Sequence, residues 1–156
     1  MVERLVLIGT HAGAKSAVPS TPAARAAMFP QEKLPREELV RRQFMVYVAP
    51  DFLEQHRDAF EQMMAVRLAN LIPFELWQLQ LQAVLQSERA DLIRAIRAPT
   101  LIVHGREDAL IPFANGEKLR DVIPGARLVP IEDCGHMVNW EKPEAAAALI
   151  GEFFGL

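Results

Sequence analysis

The chain contains one cysteine, Cys134, in 156 residues. No disulfide can form within it, and a lone thiol fits a reducing compartment, read here as the cytoplasm. No run of about 18 uninterrupted apolar residues occurs, which excludes a transmembrane helix. The opening residues, Met1 to Ile8, have neither the charged leader nor the small-residue cleavage site of a signal peptide, and they read as a strand. Charged residues make up only 24% of the chain and leave a net charge of -3. That balance gives no electrostatic reason to expect nucleic acid or an anionic membrane as partner. Serine is scarce too: Ser16, Ser20 and Ser87 are the only three, and none has glycine at both positions two residues away. Internal repeats and low-complexity tracts are also missing.

What is present is a composition that is 51% hydrophobic, enough for one compact domain with a real core. Three apolar runs without polar alternation, Val2 to Ile8, Thr100 to Val103 and Arg127 to Ile131, read as parallel strands buried on both faces. Between the last two lies a helical stretch from Phe113 to Val122, broken by Pro124-Gly125, giving a strand-helix-strand unit. A loop from Glu132 to Pro143 leads to a terminal helix with Ala146, Leu149, Ile150, Phe153 and Phe154 near one face, expected to cover the sheet.

The stretch between the first two strands has a different character. A loop rich in proline and alanine, with Pro19, Pro22, Pro30 and Pro35, precedes helical patterns at Arg36 to Phe44, Asp51 to Asn70, Glu75 to Gln86 and Asp91 to Ile96. Met45, Met63, Met64 and Trp77 either form the underside of a cap over a pocket or pack the helices together. The expected organisation is an α/β core from residues 1–13 and 98–156, with residues 14–97 as a helical cap.

Two residues at strand ends carry the chemistry. Asp108 follows the second strand in His104-Gly105-Arg106-Glu107-Asp108, beyond the carboxyl end of a parallel strand, where open α/β sheets place their ligands. His136 follows the third strand in Cys134-Gly135-His136-Met137. Adjacent strands run about 5 Å apart, so loops leaving the same sheet edge can bring the two side chains together. A carboxylate on one ring nitrogen fixes a histidine tautomer and leaves the other nitrogen free to accept a proton from a hydroxyl. Each residue alone has a plain alternative: Asp108 as a turn or helix-capping residue, His136 as a surface-loop histidine. Occurring in order, each after a strand, they make the paired reading the better one. His104 reads as a strand-end residue with structural hydrogen bonds, and Cys134 as a small packed residue. A metal site on His104, Asp108 and His136 lacks a ligand-spacing motif, and no metal is expected.

The segment from Ala98 to Pro112, with Gly135-His136 and Glu141-Lys142-Pro143-Glu144, resembles the C-terminal portion of the α/β-hydrolase fold, most nearly capped bacterial esterases and lactonase-like enzymes. The resemblance is specific over the last 60 residues or so and architectural elsewhere. It implies a partial α/β-hydrolase fold: about three parallel strands with flanking helices, and a helical cap after the first strand. It also implies ester hydrolysis or acyl transfer without a cofactor, Asp108 as orienter, His136 as general base, and a small acyl or ester substrate. Thr10, His11, Trp77 and Met137 are the candidate substrate-lining residues.

The triad of such enzymes runs serine, acid, histidine, with the serine in a Gly-x-Ser-x-Gly turn between strand and helix. No such turn occurs in this sequence, nor does the upstream loop that supplies an oxyanion-hole amide. Gly9-Thr10-His11-Ala12-Gly13 has the glycine spacing, but Pro19 and Pro22 follow where a helix is required. The sequence therefore reads as a hydrolase core lacking its nucleophile-bearing half, which would explain a core strand at Val2. Three strands would leave one sheet edge open. A second copy of the chain, a swapped element, a separate N-terminal chain or the cap folded back would cover it. The alternative is a binding or assembly module that uses the cap and that edge to hold an apolar ligand or a partner.

Overall fold

The structure is a computed structural model that describes residues 2–156. Met1, part of the expected core segment 1–13, lies outside the described residues. Three strands, β1 (Leu5–Ile8), β2 (Thr100–Gly105) and β3 (Arg127–Ile131), form one parallel sheet in the order β1-β2-β3. Leu5 pairs with Thr100 and Ile8 with Val103, while Leu101 pairs with Arg127 and Gly105 with Ile131.

Burial on both faces, expected of all three strands, holds only for β2, every residue of which is buried. β1 and β3 flank it and are half-buried, with Ile8 exposed. The first strand also starts later than expected, at Leu5, and Val2 is exposed. Arg4 turns its guanidinium onto the Phe153 ring and the Phe153 carbonyl.

The long connection from β1 to β2 carries α1 (Pro22–Met28), α2 (Arg36–Met45), α3 (Pro50–Gln55), α4 (Arg57–Ala69), α5 (Phe74–Gln86) and α6 (Ala90–Ile93). α1 occupies sequence expected to be loop. Thr21 Oγ1 accepts the Ala24 N–H, and Pro22 sits at the first helical position, where its missing N–H costs nothing. The single helix expected from Asp51 to Asn70 is two, broken at His56 (φ -128°, ψ 44°). Eight residues of continuous helix would rotate Phe60 about 80° away from Phe52; with the break, both side chains enter the same cluster. The helix expected to reach Ile96 stops at Ile93.

After β2 come α7 (Ala114–Val122), β3, α8 (Val138–Glu141) and α9 (Pro143–Phe154), the last ended by Gly155 in the left-handed region at φ 76°. α8 is a short turn of helix inside the expected loop.

Alternation along β2 divides the sheet core. Leu101 and Val103 meet Ala146, Leu149 and Phe153 of α9 on one face, while Ile102 meets Leu119 of α7 and Ile123 on the other. A separate cluster holds the helical connection together through Val40, Phe44, Phe52, Phe60, Met63 and Met64. Met63 and Met64 thus pack helix on helix, and Met45 is exposed. α5, although thirteen residues long, buries none of its residues.

Candidate active site

The loops after β2 and β3 are laced together before any side chain is considered. Arg106 N–H donates to the Ile131 carbonyl (3.0 Å) and Glu107 N–H to the Cys134 carbonyl (2.9 Å). A Cβ at Gly105 would overlap the carbonyl oxygens of Gly135 and Cys134, so only glycine allows this approach. The loop carrying Asp108 is thereby fixed against the loop carrying His136.

Asp108 is buried and divides its two oxygens. Oδ1 accepts the N–H groups of Leu110 (2.9 Å) and Ile111 (2.7 Å), a turn that an aspartate side chain builds on its own backbone. Oδ2 is left for His136 Nδ1, at 2.8 Å. Burial pushes the Asp108 carboxyl up, but hydrogen bonds from His104 and His136, the His136 charge and the Ile111 N–H together hold it below the ordinary aspartate value. The capping role considered for Asp108 is thus carried by one oxygen while the other faces the histidine.

His104 is fully buried. Its Nε2 lies 2.7 Å from the Ile111 carbonyl oxygen and 3.4 Å from Asp108 Oδ2. That is the structural hydrogen bonding anticipated for a strand-end residue. It braces the turn around Asp108 from below.

His136 is held from three sides. Its N–H donates to the Tyr47 carbonyl (2.6 Å), and its ring meets the Tyr47 ring edge-on at 5.8 Å between centroids. Behind it, a Cβ at Gly9 would come within 3.2 Å of Nδ1, and Gly9 itself has φ +50°, so the turn after β1 closes on the imidazole. Nε2 makes no hydrogen bond among the described residues, and the side chain is 24% exposed. Donation from Nδ1 to Asp108 leaves Nε2 as an outward-facing acceptor.

Glu141 carries the loop from the other end. Buried in α8, it accepts the N–H of Ala49 at 2.7 Å, of Gly135 at 3.0 and 3.1 Å, and of Met137 at 3.1 Å. The residues on both sides of His136 are therefore tied to the α2–α3 junction through one carboxylate. Burial raises the Glu141 pKa despite those three donors. Sequence reading missed both Glu141 and Tyr47. Glu141 was visible within Glu141-Lys142-Pro143-Glu144, but its partners are backbone amides, which leave no side-chain signature. Cys134 is fully buried, and burial, with the neighbouring Glu141 charge next, pushes its thiol up to about 12, as suits a packed residue.

The remaining candidates are scattered. Thr10 and His11 follow Gly9, and both are half-buried. His11 Nδ1 accepts the Gly13 N–H at 3.1 Å, and burial holds its pKa below the ordinary value. No helix follows this turn until α1, so it is not a nucleophile elbow. Met137 packs against the helical cluster and donates its N–H to the Tyr47 carbonyl and to Glu141. Trp77 stacks on Phe74 and lines a cavity of about 500 Å³ among the helices, whose walls include neither Asp108 nor His136. Among the described residues, no three His, Cys, Asp or Glu side chains converge as metal ligands, and no helix is long and apolar enough to cross a membrane.

Residues 2–143 match the model of the alpha/beta hydrolase fold family. The chain is 44% identical over 55 residues to a pimeloyl-[acyl-carrier protein] methyl ester esterase of Aromatoleum aromaticum, covering 35% of this chain and 22% of that one. It is 41% identical over 61 residues to a 2-hydroxymuconate semialdehyde hydrolase of Pseudomonas sp. strain CF600, covering 39% of this chain and 22% of that one. A meta-cleavage product hydrolase from Pseudomonas fluorescens IP01 superposes on 99% of this chain and 56% of its own, with a TM-score of 0.69 at 23% identity, a likeness of fold. The chain thus spans little more than half the length of that solved structure, and the matched stretches less than a quarter of those curated relatives.

Proposed function

Since the chain belongs to the α/β-hydrolase fold family, we propose that it provides the acid and the base of a carboxylic-ester or related acyl hydrolase, working with a hydroxyl nucleophile that none of its own serines supplies. The observation that carries this reading is the 2.8 Å contact between Asp108 Oδ2 and His136 Nδ1, with Nε2 unengaged. Esters are the coarse substrate class named for one relative, the Aromatoleum esterase.

In this reading Nε2 of His136 takes the proton of the attacking hydroxyl as its oxygen bonds to the substrate carbonyl carbon. The imidazolium so formed lies against the Asp108 carboxylate, which stays ionised because its hydrogen bonds favour the charged form. The proton then passes to the departing alcohol. Water repeats the sequence on the acyl intermediate, with His136 again accepting and returning a proton. Met137 adjoins His136 in sequence, and Thr10 and His11 follow Gly9, which lies against the His136 ring; these three are assigned to the substrate walls, while Trp77 lines a separate cavity. Residues 1–13 and 98–156 act as the core and residues 14–97 as the cap.

None of Ser16, Ser20 and Ser87 fits the nucleophile. Ser16 Oγ is engaged by the Gly13 carbonyl and Glu88, Ser20 Oγ by the Leu110 carbonyl and Ser87 Oγ by the Val84 carbonyl. The purified chain should therefore hydrolyse p-nitrophenyl acetate and butyrate little above background. Any turnover above it should vanish in His136→Ala; turnover that survives that change removes His136 from the role.

A second reading, an assembly module or one half of a two-chain or swapped hydrolase, is favoured by a different observation. β1 pairs on one side only, and α5 exposes Phe74, Leu76, Leu79, Val84 and Leu85. A second copy or a polypeptide carrying the rest of the sheet would cover both surfaces.

A further inference from the structure

The cavity beside Trp77 lies among the α1–α2 connection, α2, the end of α4 and the start of α5. At about 500 Å³ it falls within the range of small-molecule sites. Its walls are mostly apolar, with Phe29, Leu39, Val40, Leu71, Ile72 and Trp77 among them. One wall residue does not fit an empty apolar hole: Arg67 of α4 has its Nε buried with no hydrogen-bond partner, and it makes no salt bridge among the described residues. Its guanidinium carbon sits 5.9 Å from the centre of the Phe44 ring, which holds the group in place without satisfying that N–H.

The charges around the cavity have one predominant sign. Lys33, Arg36 and Arg67 line it, and the only acidic lining residue, Glu32, is already engaged by Arg42. Arg36 donates to the Ile72 carbonyl at the mouth. A buried guanidinium N–H left open is costly, and the group that answers it best is a carboxylate, which can take Nε and a terminal nitrogen together. Apolar walls behind a single such anchor select a ligand with one anionic head and a hydrocarbon or aryl body.

We propose that this cavity binds a monocarboxylate with an apolar body, its carboxylate on Arg67 and its body toward Trp77. The site stands apart from the Asp108–His136 pair and does not depend on the hydrolase reading.

The test is calorimetric titration of the purified chain with sodium octanoate and with 1-octanol, repeated on Arg67→Met and Arg67→Lys. Octanoate should bind about tenfold or more tightly than octanol, the size of effect one charge-assisted contact gives. Arg67→Met should erase that preference while retaining octanol binding, and Arg67→Lys should keep part of it. In His136→Ala both affinities should be unchanged. Equal binding of the two ligands, binding of neither, or an octanoate preference that survives in Arg67→Met overturns the proposal. Circular dichroism checks that the variants fold. Should Arg67→Met not fold, the wild-type chain still decides: raising the salt must weaken octanoate and leave octanol unaffected, and a salt-independent octanoate affinity overturns the assignment.

Discussion

Two regions of this molecule treat their surfaces in opposite ways. Around Asp108 and His136 the carboxylates and loop amides are answered: two backbone donors on one oxygen of Asp108, a histidine on the other, and three backbone donors on Glu141. Along α5, Leu76, Leu79, Val84 and Leu85 stand in solvent, and Phe74, half exposed, stacks on Trp77 of the same helix. The first region satisfies its carboxylates within the chain and should be rigid; the second is an apolar surface left open. The Asp108–His136 contact is therefore held by these residues alone, while in the proposed function the hydroxyl that uses it comes from outside them.

Substitutions at three positions test that contrast, in falling order of effect. Gly105→Ala places a methyl group onto the carbonyls of Gly135 and Cys134 where the two loops touch. It should destabilise the fold by about 3 kcal/mol or more, read as a lower urea midpoint. Glu141→Ala leaves the N–H groups of Ala49, Gly135 and Met137 without their acceptor. It should cost about 3 kcal/mol by the same measurement, with Glu141→Gln in between because one oxygen remains. Leu79→Glu, on α5, should move the midpoint by no more than about 0.5 kcal/mol, since the side chain is 60% exposed. If α5 is covered by a second copy, that last change should also shift light scattering from dimer to monomer. A wild-type chain that is monomeric at every concentration would remove self-association from the comparison.

The sequence disclosed the rigid region better than the open one, for physical reasons. β2 is buried on both faces, so its apolar run was unbroken, and the ends of β2 and β3 located Asp108 and His136 without knowledge of their contact. β1 and β3 carry equally apolar sequence but flank the sheet, and no local pattern distinguishes a strand covered on both faces from one covered partly. α1 was hidden because proline was read as a breaker, although Pro22 starts that helix and Thr21 caps it. The role of Glu141 depends on Ala49, which is 92 residues away in sequence and contributes only its amide. Trp77, expected to line the substrate site, lines a cavity among the helices that contains neither member of the pair.

In the proposed function Asp108 fixes the tautomer of His136 so that Nε2 is the open acceptor. Long-range proton-nitrogen correlation spectra of the histidine rings at neutral pH measure this directly, in the wild-type chain and in Asp108→Asn. In the wild type Nδ1 of His136 should carry the proton and Nε2 should not. In Asp108→Asn an amide that can present its own N–H to Nδ1 should reverse the tautomer or mix the two. A proton on Nε2 in the wild type, or spectra that the Asp108 change leaves unaltered, would contradict that assignment.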